Sequence, residues 1–386
     1  VLTKEQAESY TRLAEPLLTA YLNTGSDDPS HHLPVPACQT WLKKEALSMA
    51  RDLPQTDQVP FQAQLDRVQG FLSDRRPHEQ GLVLFSGAGT WVLVPLQVRV
   101  ASQLHWGAPA ASQLLWLLSE HRPHCIVVVD RAGARFFQYH LHELTELENR
   151  KFDIDISQWK KKDLGHVTNP GIHKTYGSNR DSFEHRVEAQ YAHLCSEIAI
   201  RAEQLRKNHG LAATFLVGSS RLTGFIDAAF PLELRPRVID VKESLAGVRG
   251  PELLHHLEPA IANWEHLHDT EIVSALHRSE HGVLMEVDET LAQLQEGKIR
   301  NLVVARDLHL DLKKCVKCGR VDRSGDPMCP SCGSPRQGTT LQEILPSLVN
   351  TYQTKLDVVS GEAAVRLTEA GGIGAWLREA QLVAAR

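Results

Sequence analysis

The chain has 386 residues, 42% of them hydrophobic and 23% charged, with 47 acidic against 42 basic side chains and a formal net charge of -5. This length exceeds one ordinary hydrophobic core and predicts two or three domains, while the balance of apolar and charged residues excludes wholesale disorder. A slightly acidic total excludes a globally basic nucleic-acid binder, so any contact with phosphates must come from a local patch.

In chain order, the first segment, 1–119, opens with a helical pattern and a strand-like piece at 17–22. A polar turn region at 23–30 and mixed helical sequence follow. A hairpin is expected next, with strands at 82–85 and 91–100 around the turn Ser86-Gly-Ala-Gly89. The same glycines invite a nucleotide-loop reading, but the lysine and helix of a P-loop do not follow them.

The second segment, 120–241, begins with the continuously apolar Cys125-Ile-Val-Val-Val-Asp130, expected as a central strand. A turn at 131–133 leads to a second strand at 134–139, and Phe152-Asp-Ile-Asp-Ile156 alternates as a half-buried third strand. After a loop at 158–181, Phe183, Val187, Tyr191, Leu194, Ile198, Ala202 and Leu205 recur at helical spacing until Gly210. A buried strand at 213–217 then runs into Gly218-Ser-Ser-Arg221. Together these predict an α/β domain. The third segment, 242–386, reads as helices at 251–267, 272–280 and 287–295, a strand at 301–305, a cysteine cluster, a helix at 341–356 and a glycine-rich close at 371–378.

Two features carry chemistry. Cys315-Val-Lys-Cys318-Gly and, ten residues later, Cys329-Pro-Ser-Cys332-Gly are paired knuckles. Each two-residue spacer lets both thiolates face one ion, and glycine permits the left-handed turn that aims amides at sulfur. Four thiolates leave no open coordination position, so one structural zinc ion is expected, within a ribbon at 313–336. A redox pair is the competing reading. The remaining cysteines, Cys38, Cys125 and Cys195, are too isolated for a disulfide framework. With no apolar run near the ~20 residues of a membrane span and no signal-like start, a cytoplasmic chain is expected.

The second feature is the loop. Lys160, Lys161, Lys162, Lys174 and Arg180 stand against Asp163 alone before Asp181, with His166 and His173 adding charge when protonated. Trp159 and Tyr176 lie between these cations, as in a nucleic-acid contact. On the residues alone, a solvated lysine run is the favoured reading.

Taken in order, these pieces resemble the archaeo-eukaryotic class-I release factor and Pelota superfamily. The strand ending at Asp130, the basic loop, the long helix and the strand closing on Gly-Ser-Ser resemble its central domain. Asp288-Glu-Thr-Leu291, Gly297, Leu302-Val-Val304 and above all Gly371-Gly-Ile-Gly-Ala-Trp-Leu-Arg378 resemble its last domain. The likeness covers about 121–386, and the first segment is divergent, as in bacterial members. It implies an α/β protein of three domains. The central one would be RNase H-like, and the last an α/β/α layer bearing the inserted ribbon. It also implies a monomeric ribosome-binding factor in the A site whose loop, with Asn169 among its residues, contacts large-subunit ribosomal RNA. A translational GTPase such as elongation factor Tu is the implied partner. The family's Gly-Gly-Gln and Asn-Ile-Lys-Ser motifs are not in this sequence; the stretch that corresponds to the first runs from Lys162 to His173. That points to occupancy, in hibernation or rescue, with no catalytic residue. Two enzyme readings stand beside it: peptidyl-tRNA hydrolysis with water positioned by His166, Asn169 or His173, and a two-metal nuclease using Asp130, Asp153 and Asp155.

Overall fold

The computed structural model describes residues 2–25, 29–32, 34–74, 78–152, 178–241, 248, 250–279 and 281–378. It is a mixed α/β structure whose contacts divide the chain into two compact units, Val1–His121 with Ile261–Arg386, and Arg122–Ala260.

The chain starts with α1 (Lys4–Tyr10), whose Thr3 and Gln6 form a capping box that satisfies two otherwise orphan amides. β1 (Leu17–Asn23), α2 (Ala37–Asp52), α3 (Gln55–Asp74), β2 (Gly81–Gly87), β3 (Trp91–Leu96), β4 (Gln103–Gly107) and α4 (Ser112–Glu120) follow. The strands make an antiparallel sheet ordered β3-β2-β1-β4. Alternate residues Leu18, Ala20 and Leu22 of β1 turn to one face, where Leu42, Phe61, Leu65 and Val68 of α2 and α3 cover them. The hairpin is present, but β3 stops at Leu96 rather than running to residue 100. Pro95, which cannot donate to a ladder, sits near its end on the edge strand.

The second unit holds β5 (His124–Val129), β6 (Gly133–His140), β7 (Glu143–Lys151), α5 (Ser178–Asn208), β8 (Thr214–Val217), α6 (Ser220–Ala229) and β9 (Val238–Asp240). Their order is β7-β6-β5-β8-β9, with β5, β8 and β9 parallel and the β5-β6-β7 side antiparallel. Cys125, Val127 and Val129 face Cys195, Ile198, Ala202 and Leu205 of α5 and Leu222 and Ile226 of α6. Gly210, at φ +62°, ends α5 while the Leu211 amide donates back to the Arg206 carbonyl, a left-handed cap. The third strand lies earlier than the sequence pattern indicates. It is the polar run Glu143–Lys151, and residues 153–156 lie outside the described part. As the sheet's edge strand β7 has mostly wet side chains, so no alternation marks it.

α7 (Gly250–Arg278) joins the helical stretches 251–267 and 272–280 into one helix, and its buried Asp269 accepts a hydrogen bond from the Ser360 amide at 3.0 Å. Then come β10 (Val283–Leu284), α8 (Val287–Gln295), β11 (Ile299–Ala305), β12 (Asp311–Cys315), β13 (Val321–Asp322), β14 (Arg336–Thr340), α9 (Leu341–Thr351), β15 (Lys355–Val359), α10 (Gly361–Glu369) and β16 (Ile373–Leu377). Four of these strands form a sheet ordered β10-β16-β11-β15, with β11 parallel to β15 and antiparallel to β16. Leu302, Val304 and Ile373 pack against Leu291, Leu294, Leu345 and Leu348 of α8 and α9. Val303, Ala305 and Val359 face Val273 and Leu276 of α7 and Ala363 and Leu367 of α10. The expected helix at 341–356 ends at Thr351. Gln353 takes φ +50° and Lys355 opens a strand.

Candidate metal centre

β12 pairs antiparallel with β13 on one side and β14 on the other, and the two knuckles hang between these strands. They repeat one geometry. The Cys315 amide donates to the Arg320 carbonyl at 2.9 Å, and the Gly319 amide to the Cys315 carbonyl at 3.1 Å. In the second knuckle the Cys329 amide donates to the Ser334 carbonyl and the Gly333 amide to the Cys329 carbonyl, each at 2.8 Å. Gly319 and Gly333 take φ +73° and +69°, which a side chain would resist. The Cys318 amide points at the Cys315 sulfur at 3.5 Å.

All four sulfurs lie within 4.8 Å of one another. Cys315 and Cys332 are 3.4 Å apart and Cys318 and Cys329 3.6 Å, well beyond the roughly 2.05 Å of a disulfide. Sulfurs about 2.3 Å from a tetrahedral ion stand about 3.8 Å apart, so this donor set fits a structural metal. Hydrogen bonds from Ser334, side chain then backbone, pull the Cys332 thiol down to about 6. The Cys318 thiol is drawn down by the Arg320 amide, yet its neighbouring sulfurs and burial leave it raised to about 11. A cation held by these four thiols would displace the protons they share.

The centre is tied to the core by residues whose role the sequence pattern does not announce. Gln295, at the end of α8, uses its side-chain amide as a strand backbone would. It accepts from the Val321 amide and donates to the Val321 carbonyl, both at 2.8 Å. Arg323 makes a two-pronged pair with Asp288 of α8 at 2.7 and 2.5 Å, holding that carboxyl below its usual range. Arg336, its side chain fully buried, pairs with Asp322 and donates to the Lys313 carbonyl at 3.0 Å. Leu312 and Val321 enter the core beside α8 and α9. The only sequence signal was the position of Arg323 and Arg336 flanking the second knuckle.

The expected RNA-contacting residues Lys160, Lys161, Lys162, His166, Asn169, His173 and Lys174 lie outside the described residues, as do Asp153 and Asp155. Arg180 falls in the first turn of α5. Asp130 closes the β5–β6 turn, its carboxylate accepting from the Ala132 and Gly133 amides at 2.7 and 3.0 Å. That engages it as a turn residue.

No curated protein matches the chain. Among solved structures it is similar to an archaeal translation termination factor, aRF1, at 14% identity over 98% of each chain and a TM-score of 0.25. It is similar to a ribosome-bound archaeal Pelota studied with ABCE1 at 17% identity, over 78% of this chain and 72% of that one, with a TM-score of 0.36. Dom34 of S. cerevisiae is described as a translation termination-like factor in RNA quality control that interacts with Hbs1. It shares 11% identity over 77% of this chain and 79% of its own, with a TM-score of 0.34. At TM-scores below 0.5 these likenesses do not reach whole-chain geometry. Residues 109–252 match the family model described as bacterial archaeo-eukaryotic release factor family 10, and over this segment the chain is similar to that family.

Proposed function

We propose that this chain is a ribosome-binding translation factor that occupies the A site in hibernation or rescue without hydrolysing peptidyl-tRNA. The observation that carries the reading is the match of 109–252 to a release-factor family, in a segment whose loop has no Gly-Gly-Gln. A factor that keeps the carrier and lacks the hydrolytic tip acts by being there. Lys160, Lys161, Lys162, His166, Asn169, His173, Lys174 and Arg180 are the proposed contact to large-subunit ribosomal RNA, a basic finger on an otherwise acidic chain.

The organisation that goes with this function has three parts, 1–119, 120–241 with an RNase H-like core, and 242–386 with an α/β/α layer. Cys315, Cys318, Cys329 and Cys332 hold one zinc ion in a ribbon at 313–336, which rigidifies the last part rather than taking part in chemistry. A translational GTPase such as elongation factor Tu is the proposed delivery partner, and the cytoplasm the compartment. Among the described residues no helix is long and apolar enough to cross a membrane.

Reversing Lys160, Lys161 and Lys162 to glutamate together tests the finger. Co-sedimentation with purified ribosomes should fall at least tenfold at moderate salt. Unchanged binding at low and moderate salt would remove the loop from the interface.

A further inference from the structure

The open end of the β6-β7 hairpin concentrates positive charge. Its register pairs Gly133 with Lys151, Ala134 with Arg150 and Arg135 with Asn149. Cross-strand partners share a face and successive residues alternate, so Arg135, Asn149 and Lys151 stand on one side and Arg150 on the other. The Arg150 side is the one packed on α5, where Ala134 enters the core and Arg201 of the helix meets the Glu148 carboxylate at 2.7 Å. Arg150 pairs with the same carboxylate. On the opposite side Asn149 and Lys151 are exposed and Arg135 is half-buried, and Arg131 is exposed in the turn that leads into β6. A Cβ on Gly133 would clash with the Arg150 carbonyl oxygen, so the facing strand puts no side chain over Lys151. The Arg135 guanidinium lies over the buried Phe137 ring, 5.4 Å from its centroid, which fixes the cation while leaving its N–H groups to other acceptors.

The carboxylates at this end are already engaged. Asp130 accepts from two turn amides, and Glu148 is held by two guanidinium groups on the α5 side. Among the described residues no carboxylate pairs with Arg131, Arg135 or Lys151. The acidic residues Glu143 and Glu146 lie toward the closed end of the hairpin, Glu146 roughly 15 Å from Lys151 at about 3.3 Å per residue. The hairpin is thus polarised, and from its basic end the sequence runs on into the basic stretch 158–181.

Three cations and an amide donor on one open face match a run of phosphates, whose oxygens accept from Arg, Lys and Asn side chains. An acidic protein segment would also want an apolar anchor, and none of the exposed large hydrophobic residues lies within 130–152. We propose that Arg131, Arg135, Asn149 and Lys151 bind the phosphate backbone of ribosomal RNA at the base of the basic finger, a contact that rests on the ribosome-binding function proposed for the chain.

Co-sedimentation of the full chain with purified vacant ribosomes over a salt series tests this, with hydroxyl-radical footprinting of the ribosomal RNA at protein concentrations that restore binding. Reversing Arg131, Arg135 and Lys151 together to glutamate should weaken binding at least tenfold at moderate salt. Three lost phosphate contacts at about 0.7–0.9 each should flatten the log–log salt dependence by about 2–3. Protection of a set of nucleotides should vanish with them. Melting curves check folding. If the reversal unfolds the chain, Arg131→Gln with Lys151→Gln, both at exposed positions, takes its place, with at least threefold weaker binding expected. Unchanged binding, salt dependence and protection in a folded variant overturns this contact alone. Weaker binding with unchanged RNA protection gives the face to an acidic protein surface and overturns it as well. A wild-type chain that binds no ribosome, with and without a GTP-loaded translational GTPase, overturns the underlying function, and this contact falls with it.

Discussion

Gly372 and Gly374 show why the closing motif has its composition. Gly372 takes φ +79°, and a Cβ there would meet the Leu308 side chain at 2.6 Å. A Cβ on Gly374 would meet Leu276 of α7 at 2.8 Å. The bare backbone lets α7 approach β16, the strand that pairs with both β10 and β11. Gly372→Ala is expected to destabilise the protein by about 1–3 kcal/mol, through conformational strain and a contact that must shift. A lower urea midpoint at unchanged slope is the expected readout; an unchanged midpoint would refute this account of the motif. Arg336 makes a second case at this scale. Its buried guanidinium answers the Asp322 carboxylate, which is about a quarter exposed, so Arg336→Ala is expected to cost roughly 2–4 kcal/mol in the same assay.

At the scale of elements, the cysteine cluster was legible from the sequence because its signal is local. Two Cys-x-x-Cys-Gly runs fix the turn, and the structure brings all four sulfurs within 4.8 Å. Strands β5 and β8, continuously apolar, were equally plain. β7 was not, since an edge strand with wet side chains carries no alternation, and β15 was hidden because apolar residues at helical spacing continue from α9 into it. The tie of Gln295 to Val321 was invisible for another reason. A side chain standing in for a strand backbone leaves no pattern in sequence. Because Leu312 and Val321 sit in the core beside α8, the effect of removing a metal held by the four cysteines should spread beyond the cluster. A strong chelator, or Cys329→Ser, is expected to lower the melting temperature and release one zinc per chain. A melt that neither treatment moves, from protein containing no zinc, would contradict the metal centre.

For the whole molecule, the residues that match a release-factor family and the cysteine centre lie in different stretches of chain, 109–252 and 315–332. A protein so built would separate holding from stabilising, if the loop contacts the ribosome and a metal at the cysteines rigidifies its own part of the chain. The Cys329→Ser variant should then lose stability before it loses ribosome affinity, whereas the triple lysine reversal should lose affinity at an unchanged melting temperature. Simultaneous loss of both properties in both variants would argue against that separation.

Occupancy without hydrolysis is the proposed activity. Its most direct test is co-sedimentation of the chain with purified vacant ribosomes and with ribosomes carrying peptidyl-tRNA, scoring released peptide in the same tubes. Binding to vacant particles with no release above the buffer control is expected. Peptide release upon binding would contradict it and assign the chain to the hydrolases; absence of binding to either particle, with and without a GTP-loaded translational GTPase, would remove the ribosome from the account.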